Sequence, residues 1–115
     1  MREIIWQPYP QDIEKSNVKR FVDKYGIKSY EELVQRSIAD IEWFWDAVVK
    51  DVDIEWFKPY HKVVDTSKGL PWAKWFIGGE LNIVHNCLDR HANSWRGNKV
   101  ACIWEGEDFE VRKLR

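Results

Sequence analysis

The stretch Ala73-Lys74-Trp75-Phe76-Ile77-Gly78-Gly79-Glu80-Leu81-Asn82-Ile83-Val84-His85-Asn86-Cys87-Leu88-Asp89-Arg90-His91, taken up again by Lys99-Val100-Ala101-Cys102-Ile103-Trp104, decides how this chain is read. Adjacent glycines break an aromatic run and Asn82 then opens a helical pattern, so a stop and a start lie within five residues. A strand-like run follows the next loop. Strand, tight turn, helix and strand in that order form the skeleton of a mixed α/β unit. By periodicity the stretch is a scaffold and not a reaction centre.

Outward from it, size and charge narrow the field. At 115 residues the chain is one domain at most, too short for a complex multidomain enzyme. A net charge of -1 makes no electrostatic case for nucleic acid or an anionic membrane. No apolar run approaches the roughly 20 residues of a membrane span. The start of the chain meets Pro8 and Pro10 before any signal-peptide core can form. No nucleic-acid or membrane partner is therefore expected, and the expected location is cytoplasmic. In that setting the two cysteines, Cys87 and Cys102, read as reduced thiols. Eight tryptophans point to large buried areas in core or interfaces.

Upstream, Met1 to Pro10 reads as an extended arm whose Trp6 and Tyr9 dock elsewhere on the surface. Gln11 to Tyr25 carries helical spacing, and Gly26 suits the position after a helix end. Ser29-Tyr30-Glu31-Glu32 fits a capping box, with Leu33 and Val34 on the apolar side of the helix it opens. Asp40 caps a third helix with an apolar stripe of Ile41, Phe44, Trp45, Val48 and Val49; Trp43 and Ala47 lie off the stripe, so cover on more than one side is expected. Pro59 makes the following Trp56–Tyr60 stretch irregular, and Val63-Val64 is a short strand candidate. The turn-rich loop 65–72 divides a mainly helical lead-in, 1–64, from a motif-bearing helix and hairpin, 73–115. Val100 to Glu105 and Phe109 to Leu114 read as strands joined by Gly106-Glu107-Asp108. The expected fold is α+β, or mixed α/β: a helical front half, then a helix and a β-hairpin, as an incomplete portion of a larger α/β domain.

These residues invite several chemistries, each with a packing alternative. Cys87 and His91 share a helix face and Cys102 offers a third ligand, yet a closed zinc site takes four ligands, often in close pairs. Cys87 with His91 as nucleophile and base lacks evident oxyanion donors and an electropositive setting. Packing is the reading taken for both, with Cys87 as a small buried apolar residue and His91 as a hydrogen-bonding group near the helix end. Asp89 and Arg90 read as polar ties that position the helix. Gly78-Gly79 satisfies neither phosphate-loop pattern and reads as a sharp turn permitting close packing. The aromatics Trp43, Trp45, Trp56, Trp72 and Trp75 suit core or an exposed interface better than a sugar platform.

Trp75-Phe76, Gly78-Gly79, Leu81-Asn82 and Asn86-Cys87-Leu88-Asp89-Arg90-His91 resemble the amino-terminal region of AMP-forming acetyl-CoA synthetases. The resemblance extends back through Glu42-Trp43-Phe44-Trp45-Asp46-Ala47-Val48 and Trp56-Phe57-Lys58-Pro59-Tyr60, and forward through Ile103-Trp104-Glu105-Gly106-Glu107, covering about Ser37 to Arg115. It implies a parent ligase that uses ATP, magnesium and coenzyme A to activate a short carboxylic acid. In that family the phosphate loop, adenine-binding segments and essential lysine all lie downstream of the matched region. No catalytic, cofactor-binding or metal residue is thus expected here, and Trp75, Phe76, Gly78, Gly79, Asn82, Asn86, Cys87, Asp89, Arg90, His91 and Trp104 are expected to be structural signature residues. The implied partner is the remainder of the parent synthetase; alone, the chain is expected to be inactive and to self-associate through edges and apolar patches left uncovered. The alternative is a stand-alone Trp-rich protein-interaction module.

Overall fold

Helix starts and stops legible in the first half of the chain become caps in the structure, a computed structural model that describes residues 6–115. The Met1 to Ile5 part of the expected arm lies outside the described residues. Trp6 and Tyr9 stand 70% and 66% exposed, so the docking expected of them is not found. Pro10 opens α1 (Pro10–Glu14), where its missing N–H is no loss. The single helix expected over 11–25 is interrupted: the Ser16 hydroxyl accepts from Lys19 N at 3.0 Å and starts a separate α2 (Asn17–Lys24). After α2 the Gly26 N–H donates to Asp23 O and the Ile27 N–H to Val22 O, with Gly26 at φ +63°. This pair of bonds closes the helix end as a Schellman turn and places Ile27 in the core.

Ser29 caps α3 (Tyr30–Ala39) through Glu32 N, while the Glu32 carboxylate reaches back to the Lys28 N–H, one residue beyond the usual capping-box donor. Asp40 caps α4 (Ile41–Asp51) by accepting from Trp43 N at 2.9 Å. The core these helices share consists of Phe21, Val22, Ile27, Leu33 and Ala47, with Tyr25, Trp43, Phe44 and Val48 packed against it. Here the apolar stripe read for α4 needs correction. Ile41 and Trp45 are exposed, and Ala47, placed off the stripe, is the most buried at 3%. The inward face is turned toward Trp43 and Ala47, since Ala47 lets Tyr25 approach and donate its hydroxyl to the Ala47 carbonyl at 3.3 Å.

Two compact units result, Met1–Asp53 and Ile54–Arg115, where one domain was expected. The boundary also differs from the expected division at 65–72. That loop, including a 3₁₀ turn at Leu70–Trp72, connects β1 (Lys62–Asp65) to β2 (Lys74–Ile77), which pair antiparallel with Lys62 opposite Ile77. Backbone pairing continues outside the strands through Lys58 and Glu80. Hydrogen bonding across 65–72 holds both sides in one unit, so the divide falls earlier. A helix over 83–92 follows, containing a π-helical segment, His85–Asp89, and ending as α5 (Arg90–Ala92). Finally β3 (Cys102–Glu105) and β4 (Val111–Leu114) pair as an antiparallel hairpin with Trp104 opposite Arg112. The architecture is α+β, with two separate two-stranded sheets among the described residues. No helix among the described residues is long and apolar enough to cross a membrane.

Candidate functional site

Within the second unit the quoted stretch builds a turn and a helix around one buried polar side chain. Asn82 opens the helix: its Oδ1 accepts from Val84 N at 2.9 Å and its carbonyl from Asn86 N at 3.2 Å. Asn86 is 7% exposed, and its amide reads out a strand of chain 31 residues away. Asn86 Oδ1 accepts from Glu55 N at 2.8 Å, while Nδ2 donates to Glu55 O at 3.0 Å and to Asn82 O at 3.2 Å. An amide offers both a donor and an acceptor, so one side chain satisfies both backbone groups of a residue that has no strand partner. The Glu55 carboxylate then accepts from His85 Nε2 at 2.5 Å and pairs with Arg90 Nε at 3.5 Å. One residue is thus held at its N–H, its carbonyl and its carboxylate by three residues of one helix. The π-helical turn carries two of these, His85 and Asn86, and its wider winding allows both to face residue 55.

The glycine turn is a tight fit. Gly78 has φ +78°, and a Cβ there would lie 2.6 Å from His61 Nδ1. A Cβ on Gly79 would lie 2.7 Å from the Trp56 ring. Trp56, Tyr60 and Phe76 close a triangle with ring centroids 5.0 to 5.3 Å apart, edge-on or tilted as aromatic quadrupoles favour. His61 and Trp56 therefore occupy the space a side chain would need at either glycine.

The remaining signature residues lie differently. Cys87, expected to be buried, is exposed, as is Cys102, and both are free thiols. The 3.6-residue count that would have turned Cys87 inward fails across the π-helical segment, which puts Asn86 inside instead. His91 and Asp89 serve through their carbonyls, His91 O accepting from Ser94 and Asp89 O from Asn93 N, at the end of the helix. Trp75 and Trp104 are 47% and 45% exposed. No group of three or more His, Cys, Asp or Glu that could hold a metal is found among the described residues. Of the sequence-derived residues the structure brings Asn82, Asn86 and Arg90 to one cluster, and Gly78, Gly79 and Phe76 to another. Glu55 and His85 were missed. The one signal for them was a polar Asn86 amid the apolar residues Ile83, Val84 and Leu88, which calls for a buried partner.

Comparison with known proteins gives a consistent picture. Residues 30–87, just over half of the chain, match the family described as acetyl-coenzyme A synthetase N-terminus. The chain is 45% identical over 84 residues to an acetyl-coenzyme A synthetase of Pyrobaculum arsenaticum, covering 73% of this chain and 12% of that protein. It is 40% identical over 114 residues to the one of Methanothrix soehngenii, covering 96% of this chain and 17% of that protein. Among solved structures, the acetoacetyl-CoA synthetase from Streptomyces lividans superposes with a TM-score of 0.82 at 27% identity, over 97% of this chain and 18% of that one. The chain thus spans less than a fifth of the length of these relatives.

Proposed function

The chain belongs to the acetyl-coenzyme A synthetase N-terminus family, and from that premise we propose that it serves as the amino-terminal segment of an AMP-forming synthetase that joins a short carboxylic acid to coenzyme A. The observation that carries this reading is the match, at 40% identity, of 96% of this chain to 17% of the Methanothrix soehngenii protein. In the proposed parent reaction a carboxylate oxygen attacks the α-phosphorus of ATP and pyrophosphate leaves. The coenzyme A thiol then attacks the acyl carbon and AMP leaves. Magnesium, when bound, offsets the negative charge of the phosphates.

The described residues of this segment hold no cluster that would fit magnesium. Their carboxylates, histidines and thiols do not gather in threes, and the Gly78-Gly79 turn is filled by His61 and Trp56. The part we assign to the segment is architectural: its Asn86 cluster fixes residue 55 against a helix, and its aromatic triangle fixes the turn. The free thiols Cys87 and Cys102 suit the reducing cytoplasmic setting we propose for it.

Purified chain mixed with ATP, magnesium, acetate and coenzyme A is expected to release no AMP above background. Release proportional to chain concentration would overturn the assignment of a non-catalytic segment.

A further inference from the structure

Between Asp89 and Glu105 the sequence holds no carboxylate, while Arg90, His91, Arg96 and Lys99 all fall in that interval of a chain whose net charge is -1. Arg90 pairs with Glu55. Arg96 and Lys99 lie on the loop after α5, on either side of Gly97, with Trp95 beside them. That tryptophan is 74% exposed, and both cations rest against its ring: the Arg96 guanidinium carbon lies 5.1 Å and the Lys99 ammonium 4.4 Å from the centroid. Neither cation forms an ion pair with a carboxylate among the described residues. By contrast Lys19, Lys24 and Lys50 of the first unit each meet a carboxylate within 2.8 Å.

Hydrogen bonds fix the backbone that carries these three side chains. The Ser94 hydroxyl donates to His91 O at 2.7 Å and accepts from Arg96 N at 3.1 Å. The Gly97 N–H donates to Ser94 O and the Lys99 N–H to Arg96 O. A Cβ at Gly97 would lie 2.2 Å from Ala92 O, so the turn folds onto the helix end where no side chain has room. Consecutive turns thus hold indole, guanidinium and ammonium side by side before any ligand arrives, which lowers the cost of ordering them.

What such a set of groups recognises follows from its chemistry. An indole face stacks a planar base, a guanidinium grips phosphate oxygens in pairs, and an ammonium adds a second point of positive charge. A cation–π contact at an exposed ring is weak, so phosphate draws the two cations off the ring and leaves its face to the base. Two cations match two phosphate groups, and one aromatic ring matches one base. A nucleic-acid strand is tracked by successive stacking rings along a basic groove, and Val100 and Ala101 beyond this loop carry neither ring nor charge. We infer that the Trp95–Arg96–Lys99 loop binds a free nucleoside diphosphate, its base stacked on Trp95 and its phosphates held by Arg96 and Lys99. The site is complete within this loop and holds whether or not the parent reaction is the one proposed above.

The test is NMR of the 115-residue chain, whose eight tryptophans each give one indole N–H signal, that of Trp95 being identified by Trp95→Phe. ADP should shift the Trp95 signal saturably, with a Kd on the order of 1 mM. Adenosine and pyrophosphate, each offered alone, should bind at least ten-fold more weakly. The double variant Arg96→Gln, Lys99→Gln should bind ADP at least ten-fold more weakly while the other indole signals keep their positions and report an intact fold. Should the double variant unfold, Lys99→Gln alone gives the same readout with about a three-fold loss. Pyrophosphate binding as tightly as ADP would reduce the loop to a bare anion contact and overturn the inference, as would adenosine binding as tightly. Undiminished affinity in the folded variant, or no saturable shift of Trp95 at ten times the expected Kd, would overturn it too. A single-stranded oligoadenylate that binds at least ten-fold tighter than ADP would make a nucleic-acid strand the ligand, again against the inference. None of these readings involves AMP release, so the proposed function stands or falls separately.

Discussion

In Met1–Asp53 four apolar side chains are buried together with Phe21, whose ring lies 4.6 Å from that of Tyr25 and 6.2 Å from that of Phe44. In Ile54–Arg115 the buried side chains among the described residues are Val63 and the amide of Asn86. The first unit encloses its own core. The second is held by two ladders, an aromatic triangle and a polar cluster, none of which excludes water over a large area. Hydrogen bonds direct a fold but each adds only about 1 kcal/mol net, whereas buried apolar area supplies the bulk of stability. The difference teaches that the first unit rests on buried apolar area and the second on directional contacts.

The largest test of that contrast is Phe21→Ala, expected to remove about 3 to 5 kcal/mol by opening a cavity under three rings. Amide exchange read by peptide should show protection lost within Met1–Asp53 and kept across Ile54–Arg115. Loss in both would mean that the units unfold as one and would break the comparison. Next comes Asn86→Ala, which strands the N–H and carbonyl of Glu55 and should cost about 2 to 3 kcal/mol. Urea unfolding should show the second unit weakened and the first unchanged. Asn86→Asp keeps the acceptor but loses the donor, and should fall between. Gly79→Ala should cost about 1 to 2 kcal/mol by pressing a methyl group into the Trp56 ring, displacing the aromatic triangle. A change in tryptophan emission without loss of helix signal is the expected signature.

The smallest effect is electrostatic and belongs to the first unit. Lys24 and Arg20 donate to the Asp51 carboxylate at 2.8 and 3.2 Å; the Lys24 bond, first, and then that of Arg20 hold its pKa below the ordinary carboxylate value. A lowered folded-state pKa means that the unfolded chain binds the proton more readily. The stabilisation is therefore present at neutral pH, begins to fade below about pH 4 and is gone once pH falls through the folded value. Asp51→Asn should flatten that acid slope for Met1–Asp53 and leave the second unit's acid response unchanged. An identical slope in the variant would assign the effect to other carboxylates.

Much of this was legible in the sequence because it is local. Ser29, Asp40 and Asn82 act on amides two or three residues away, and Gly26 closes α2 through its immediate neighbours. Helix starts, the glycine turn, both strands of the last hairpin and the family itself could be read without coordinates. The break at Ser16 was not, because the spacing of Ile13, Val18, Phe21 and Val22 stays helical across a residue whose hydroxyl prefers to cap. Nor was the exposure of Cys87, which follows from π-helical winding that a 3.6-residue count does not anticipate.

By itself, then, the sequence determined the later helix starts, the glycine turn, the last hairpin and the family to which the chain belongs, since caps, turns and signature residues work over a few positions. Only the tertiary structure decided that α4 turns Ala47 inward, that Asn86 binds residue 55, that the chain divides at Asp53, and that the last hairpin stands uncovered. Those outcomes depend on groups brought together from distant parts of the chain, and burial is a property of the partner as much as of the residue.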